Sequence, residues 1–346
     1  MGDNRSSSPE TRPPQAGLRV LLFDSEGEDR DLDEADIDID ALGEHQLLWV
    51  DLQDNEAGDA DACLDRLVER LRLQDGRDAL RALNGTPMLQ NFGDWFLVAV
   101  NAVEGKGKLR FEGRGLAIVC GVRFVLSLHR GPLKILEELQ GREHGETRLG
   151  SLRPESFTAS LLDWQVDSYL HAVSDFEEAV DRLEVSLLSS RVHHECLSDL
   201  VQMRRCASRL RRILAPHRHV FGALARPDFR PDADGDGRDQ GPNKAFRSLE
   251  KRFERALDAV ETARDLVVGS FELFTSRSAQ RTNATMRVLT FATVLSGMMA
   301  VIVGALGMNF TTPLFESGST GFWITVALMV AIAVIAAAMA RWKKWL

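Results

Sequence analysis

The last sixty residues constrain this chain more than any other part of it. After Arg287 no Asp, Glu, Lys or Arg occurs until Glu316, and after Glu316 none occurs until Arg341. Each gap holds about twenty consecutive apolar or small residues, enough for a helix to cross roughly 30 Å of hydrocarbon. A helix satisfies its own backbone there without help from water, so the pattern predicts two transmembrane spans, at about 288–306 and 321–340. The flanking charges orient them. Arg277, Arg281 and Arg287 precede the first span, and Arg341, Lys343 and Lys344 follow the second. The connecting segment 307–320 carries no cation and one anion, Glu316. By the positive-inside rule both termini are cytoplasmic and the loop faces out. Phe322 and Trp323 then lie at the outer interface, and Trp342 and Trp345 at the inner one. The expected location is a cell inner (plasma) membrane, crossed twice, with lipid as an obligatory partner.

The preceding residues read as cytoplasmic. Residues 1–17 are polar and Pro/Ser-rich without an apolar h-region, which reads as a disordered tail and not as a signal peptide. Residues 18–153 read as an α/β domain. LRVLLFD (18–24), LLWVDL (47–52), DWFLVAVNAV (94–103), LRFEGRGLAIVCG (109–121) and RFVLSLHR (123–130) are strand-like, and DACLDRLVERLRL (61–73) has helical spacing. From Pro154 the pattern is wholly helical. One helix covers about 156–190, a second covers 195–224 with a break near Pro216, and a Pro/Gly/Asp loop leads to residue 243. From Lys244 a helical pattern runs without Pro through Arg287 into the first span, far longer than a globular helix. Such a helix needs lateral partners, which favours an oligomer. Residues 341–346 form a basic tail.

Several function classes fall away. The formal net charge is −9, from 51 acidic and 42 basic residues, which is unsuited to nucleic acid. Cys63, Cys120, Cys196 and Cys206 lack CxxC spacing and read as reduced packing thiols. DADGDG (232–237) starts like a calcium loop, but its twelfth position is Asn243 and no bidentate carboxylate closes it. His193, His194 and Cys196, and separately His217 and His219, sit in helical stretches where their spacing does not converge on one ion, so structural or surface roles are expected. RRCASRLRR (204–212) reads as a salt-bridged helical face. No P-loop, nucleophile elbow or catalytic carboxylate pair occurs, so no enzyme and no cofactor is expected.

The tail, from TNATMRVLT through GMNF to KKWL, resembles the CorA superfamily of divalent-cation channels and transporters. LLDWQVDSYLHAVSDFEEAVDRLE (161–184), LRRILAPHRHV (210–220), VETARDLVVG (260–269), LLWVDL and FVLSLHRGPL extend the likeness upstream, over about residues 18–346. The resemblance implies a CorA-like funnel: an α/β cytoplasmic domain, long helices and two C-terminal transmembrane helices, assembled as a homopentamer. It implies transport of Mg²⁺, with Co²⁺ and Ni²⁺ as further cations, through a selectivity filter of Gly307, Met308 and Asn309.

Physical chemistry adds to that expectation. Mg²⁺ releases its waters reluctantly, so a ring of Asn309 carbonyl-type oxygens would hold the hydrated ion through its water shell. Gly307 permits close approach or a left-handed turn at the helix end. Met308, a soft thioether, suits packing better than ligation. Below the filter one face of the first span runs Gly304, Ala300, Gly297, Thr293, Leu289, Met286, Asn283 at steps of three or four residues. Leu289 and Met286 would form an apolar constriction, and Asn283 a polar ring beneath it. Small residues also suit close helix packing in lipid. Thr293 points more firmly to a lumen, since a hydroxyl facing lipid is wasted.

The chain departs from the family pattern in places. Leu306 stands where many members have Tyr, and TTPLFES follows GMNF where magnesium members often have MPEL, leaving Glu316 as a loose counterpart of the loop acid. Ser248 aligns with a regulatory metal-binding Asp, and Gly297 with a bulky gate position. These features lean toward the ZntB-like branch, which resembles proton-coupled Zn²⁺ importers, whereas the GMNF spelling is of magnesium type. A membrane-anchored sensor or scaffold that conducts nothing is a third reading.

Overall fold

The computed structural model describes residues 17–54, 60–81, 85–105, 110–133, 136, 153–188, 194–229, 241–308 and 319–342. The chain divides into two compact units, Met1–Val268 and Gly269–Leu346.

The first unit is built on strands β1 (Leu18–Asp24), β2 (Arg30–Asp31), β3 (Gln46–Asp54), β4 (Met88–Asn91), β5 (Phe96–Gly105), β6 (Phe111–Cys120) and β7 (Phe124–Arg130). They form one seven-stranded sheet in the order β2-β1-β3-β7-β6-β5-β4. All neighbours are antiparallel except β3 and β7, which run parallel with Val50 opposite Leu126. These two strands are near-continuous apolar runs, as a pair covered on both faces should be. Alternation sends Leu48, Val50, Leu52, Leu126 and Leu128 to one face, where they pack with Leu64, Leu67 and Val68 of helix α1 (Ala60–Arg70). Trp49 points to the opposite face. Its ring lies 5.6 Å from Phe157 and 6.3 Å from Phe23, so helix α3 (Pro154–Leu188) closes that side; α2 (Arg77–Arg81) is a short helix before β4. Burial of each such aromatic contributes on the order of 2–3 kcal/mol.

Helix α1 stops at a residue that the helical spacing would have carried forward. Arg72 adopts φ 54°, and the N–H of Leu73 donates to Val68 O at 2.9 Å. That is a left-handed C-terminal cap without the glycine that usually makes it.

The helical region continues with α4 (His194–Leu214), a 3₁₀ turn at Ala215–His217 that holds Pro216, α5 (Arg218–Leu224) and α6 (Gly241–Leu306). Within the first unit α6 is fixed to α3 by Arg252, which pairs with both Asp163 and Asp167, and to α5 by Arg218–Glu254 at 2.9 Å. All four cysteines are buried and none forms a disulfide, and burial pushes the Cys206 thiol up to about 12, so it packs as a neutral group. The basic run on α4 corrects the sequence expectation. Arg211 reaches Glu261 at 3.6 Å, but Arg204, Arg205, Arg209 and Arg212 have no ion pair among the described residues.

The second unit holds the C-terminal part of α6 and helix α7 (Ser319–Trp342). Both are long and apolar enough to cross a membrane, and their apolar side chains are largely exposed. The tail 343–346 lies outside the described residues.

Candidate functional site: the uncharged face of the first span

Within the second unit the two spans show the same pattern of cover. On α6, Phe291, Leu295, Met299 and Ile302 are half-buried, while the residues between them are exposed. On α7, Gly321, Thr325, Val326, Met329, Ile332, Ala333, Ala336 and Ala340 form the covered stripe. Spacings of three and four residues place each set along a single helix face.

The stripe singled out by sequence is a different one. Asn283, Met286, Leu289, Thr293, Gly297, Ala300 and Gly304 are all exposed, with Met286 56% and Leu289 61% accessible. At about 100° per residue their mean direction lies roughly 180° from that of Phe291, Leu295, Met299 and Ile302. The face proposed to carry ions is therefore uncovered in this chain, as are the flanking positions Val294, Met298 and Val301. A Cβ added to Gly297 or to Gly304 would meet nothing within 4 Å. Close packing inside the described chain is therefore not what selects glycine at these two positions.

Two details correct the sequence reading. Thr293 donates its hydroxyl to Leu289 O at 2.8 Å, so this hydroxyl would be satisfied even facing lipid, and it gives no orientation by itself. Its hydrogen is committed to the backbone, which leaves the oxygen as an acceptor for a hydration water. Gly307 does not take the left-handed conformation. Its N–H is shared between Val303 O at 3.0 Å and Gly304 O at 3.2 Å, and Met308 N–H reaches Ala305 O at 3.4 Å. The helix tightens into its last turn without reversing hand. Gly307 and Met308 are exposed; Asn309, Glu316 and the side chain of Leu306 lie outside the described residues.

No side chain titrates between Arg287 and Glu316, so this face offers a passing ion oxygens and apolar surface but no charge. Ser248 is exposed on the N-terminal part of α6. Among the described residues no three His, Cys, Asp or Glu side chains gather closely enough to hold a metal.

The titratable groups that do meet lie in the sheet domain, and sequence reading had not joined them. Trp49 Nε1 donates to Ser127 Oγ at 3.0 Å, Ser127 donates to Asp51, and His129 Nε2 lies 3.3 Å from the same carboxylate. Serine, aspartate and histidine come together only because β3 and β7 are parallel neighbours. The carboxylate stands between the other two, so the histidine is not placed to take the serine proton, and the group is a buried bracing network.

Comparison with known proteins agrees with this architecture. The family described as CorA-like Mg²⁺ transporter protein matches residues 44–341. The cobalt/magnesium transport protein CorA of Thermotoga maritima is 30% identical over 194 residues, covering 56% of this chain and 53% of that protein, about half its length. The divalent cation transporter CmaX of Pseudomonas aeruginosa is 27% identical over 233 residues, 67% of each chain. Among solved structures, CorA of Methanocaldococcus jannaschii superposes with a TM-score of 0.69 at 21% identity, covering 94% of this chain and 98% of that one. Full-length CmaX superposes with a TM-score of 0.67 at 24% identity, covering 96% and 99%.

Proposed function

The chain belongs to the CorA-like Mg²⁺ transporter family, and from that premise we propose that it carries divalent cations, Mg²⁺ foremost, across a membrane through a pore walled by copies of the first span. The observation that carries this reading is the uncovered stripe from Asn283 to Gly304, opposite the face that the chain itself covers and leading to Gly307 and Met308, which Asn309 follows in the sequence. Arrangement of five copies about an axis would put that stripe on a common lumen.

In this reading Asn309 holds the hydrated ion at the outer mouth, where neutral oxygens bind its water shell without stripping it. Gly304, Ala300 and Gly297 keep the outer half wide, and Thr293 offers an acceptor oxygen midway. Leu289 and Met286 form a constriction that closes by dewetting, and Asn283 receives the ion beneath it. Glu316 raises the cation concentration at the mouth. The cation clusters that flank the spans put both termini on the cytoplasmic side. Met308 packs, since thioether sulfur is a poor partner for a hard cation.

Proton-coupled Zn²⁺ import on the same scaffold is the competing mechanism. It calls for a group that titrates along the path, and residues 288–315 contain no Asp, Glu, His, Lys or Arg. Liposomes loaded with a metal-sensitive dye separate the two. Mg²⁺ influx driven by voltage alone, lost in Asn309→Ala with assembly intact, supports the channel. Zn²⁺ influx that scales with an imposed pH gradient contradicts it, and silence toward every ion from folded protein leaves only a sensor or scaffold.

A further inference from the structure

A cavity of about 1190 Å³ lies in the first unit, between the sheet, α1 and α4. Its floor is built of small residues where an α/β layer ordinarily carries Leu, Val or Ile. Ala99 on β5 and Gly113, Gly115 and Ala117 on β6 share one face, with Ala99 opposite Ala117. Neither glycine is needed for its backbone, because neither has a positive φ. A Cβ on Gly115 would come no closer than 3.7 Å to Gly85 Cα, and one on Gly113 would meet Ile213 at 3.4 Å. What these glycines supply is room.

The opposite wall is cationic. Arg204, Arg205, Arg209 and Arg212 line the cavity from α4, and none has a carboxylate within ion-pair distance among the described residues. Arg81, Arg114 and Arg130 also reach it, but each is already paired, with Asp65, Glu104 and Asp54. Among the described residues only Asp54 and Asp61 bring negative charge to the lining. Four guanidinium groups without an ion-pair partner among the described residues stand on one exposed side of α4, which makes that side strongly cationic.

We propose that this cavity binds an organic polyphosphate anion with the charge and bulk of a nucleoside triphosphate. Arg204, Arg205, Arg209 and Arg212 hold its phosphates, and its organic body rests on the small-residue floor. Guanidinium forks match phosphate oxygens in pairs, and four of them suit several linked phosphates better than a single one. The volume, about 1190 Å³, far exceeds what an inorganic ion fills and is slightly above the usual upper end for small organic ligands, which suits a bulky one. The site is independent of the pore, so it stands or falls apart from the transport reading.

The test is calorimetric titration of magnesium-free ATP into the full-length protein in detergent. The wild type is expected to bind saturably, and Arg205→Glu/Arg209→Glu to weaken binding by about a hundredfold or more. Arg247→Glu, on exposed α6 surface away from the cavity, should leave the affinity unchanged. Should the charge-reversed protein fail to fold, Arg205→Gln/Arg209→Gln serves instead, with an expected loss of about tenfold or more. Tripolyphosphate should bind about tenfold more weakly than ATP, because it leaves the floor uncovered. Absence of ATP binding, unchanged affinity in the folded double variants, equal affinity for tripolyphosphate, or preference for a short-chain phosphoinositide over ATP would each overturn the proposal.

Discussion

The ring of His217 accepts the backbone N–H of Asn101 at 2.8 Å, and that bond joins the helical region to the open edge of the sheet. β4 pairs with β5 only from Phe96 to Ala99, so the polar groups of Asn101 look past its end. Gln165 and Tyr169 of α3 donate to Asn101 O at 2.7 and 2.6 Å, and His217 Nδ1 donates to Leu214 O at 3.1 Å. Side chains thus complete a strand edge that would otherwise be left unpaired in the interior.

This bond has a definite pH dependence. Burial, first of all, pushes the His217 pKa from 6.5 down to about 4, so the folded protein holds the imidazole neutral with Nε2 as acceptor. Between these two values the unfolded chain takes up a proton that the folded chain refuses. Stability therefore falls as pH drops from 6.5 to 4, by on the order of 3 kcal/mol, and is fully present above 6.5. His217→Phe should lower stability at pH 7.5 by about 1–3 kcal/mol, through the orphaned Asn101 N–H, and should flatten the slope below pH 6.5. Denaturation midpoints measured across that range check both effects.

Arg72 offers a stabilising change. A non-glycine residue in the left-handed region costs about 1–2 kcal/mol, and the Arg72–Asp40 pair that Arg72→Gly would lose is well exposed and worth little. Arg72→Gly should raise stability by roughly 0.5–1 kcal/mol, read as a higher denaturation midpoint.

The proposed constriction at Leu289 and Met286 makes its own prediction. Leu289→Ala removes the bulk from one exposed ring position and should raise resting Mg²⁺ leak through liposomes by about tenfold, with the filter unchanged. A leak equal to that of the wild type would place the barrier elsewhere on α6.

The features legible in the sequence were those written along the chain. Two uncharged gaps disclosed both spans, because absence of charge needs no partner to be noticed. Pro154 and Pro216 marked where α3 begins and where α4 gives way to α5. The bonds that join distant segments could not be read the same way. Val50 and Leu126 become parallel neighbours across 76 positions, and only this pairing gathers Asp51, Ser127 and His129. β4, with the sequence MLQN, is too short and polar to show a strand pattern. The α4 run RRCASRLRR reads as a salt-bridged face, but among the described residues only Arg211 of Arg204, Arg205, Arg209, Arg211 and Arg212 has an ion pair. A signal was present, since no Asp or Glu stands three or four residues from Arg204, Arg205, Arg209 or Arg212. Gly307 suggested a change of hand, but the last turn closed by sharing one N–H between two carbonyls.

Whether the uncovered stripe is wetted by the ion path can be read from single cysteines in a chain whose four native cysteines are replaced. A membrane-impermeant, water-borne thiol reagent should block Mg²⁺ influx when cysteine stands at Thr293, Gly297 or Ala300. It should leave influx untouched at Phe291, Leu295 or Met299, which the chain itself covers. Block confined to the second set, or absent from both, would mean that ions do not travel along the face that runs from Asn283 to Gly304.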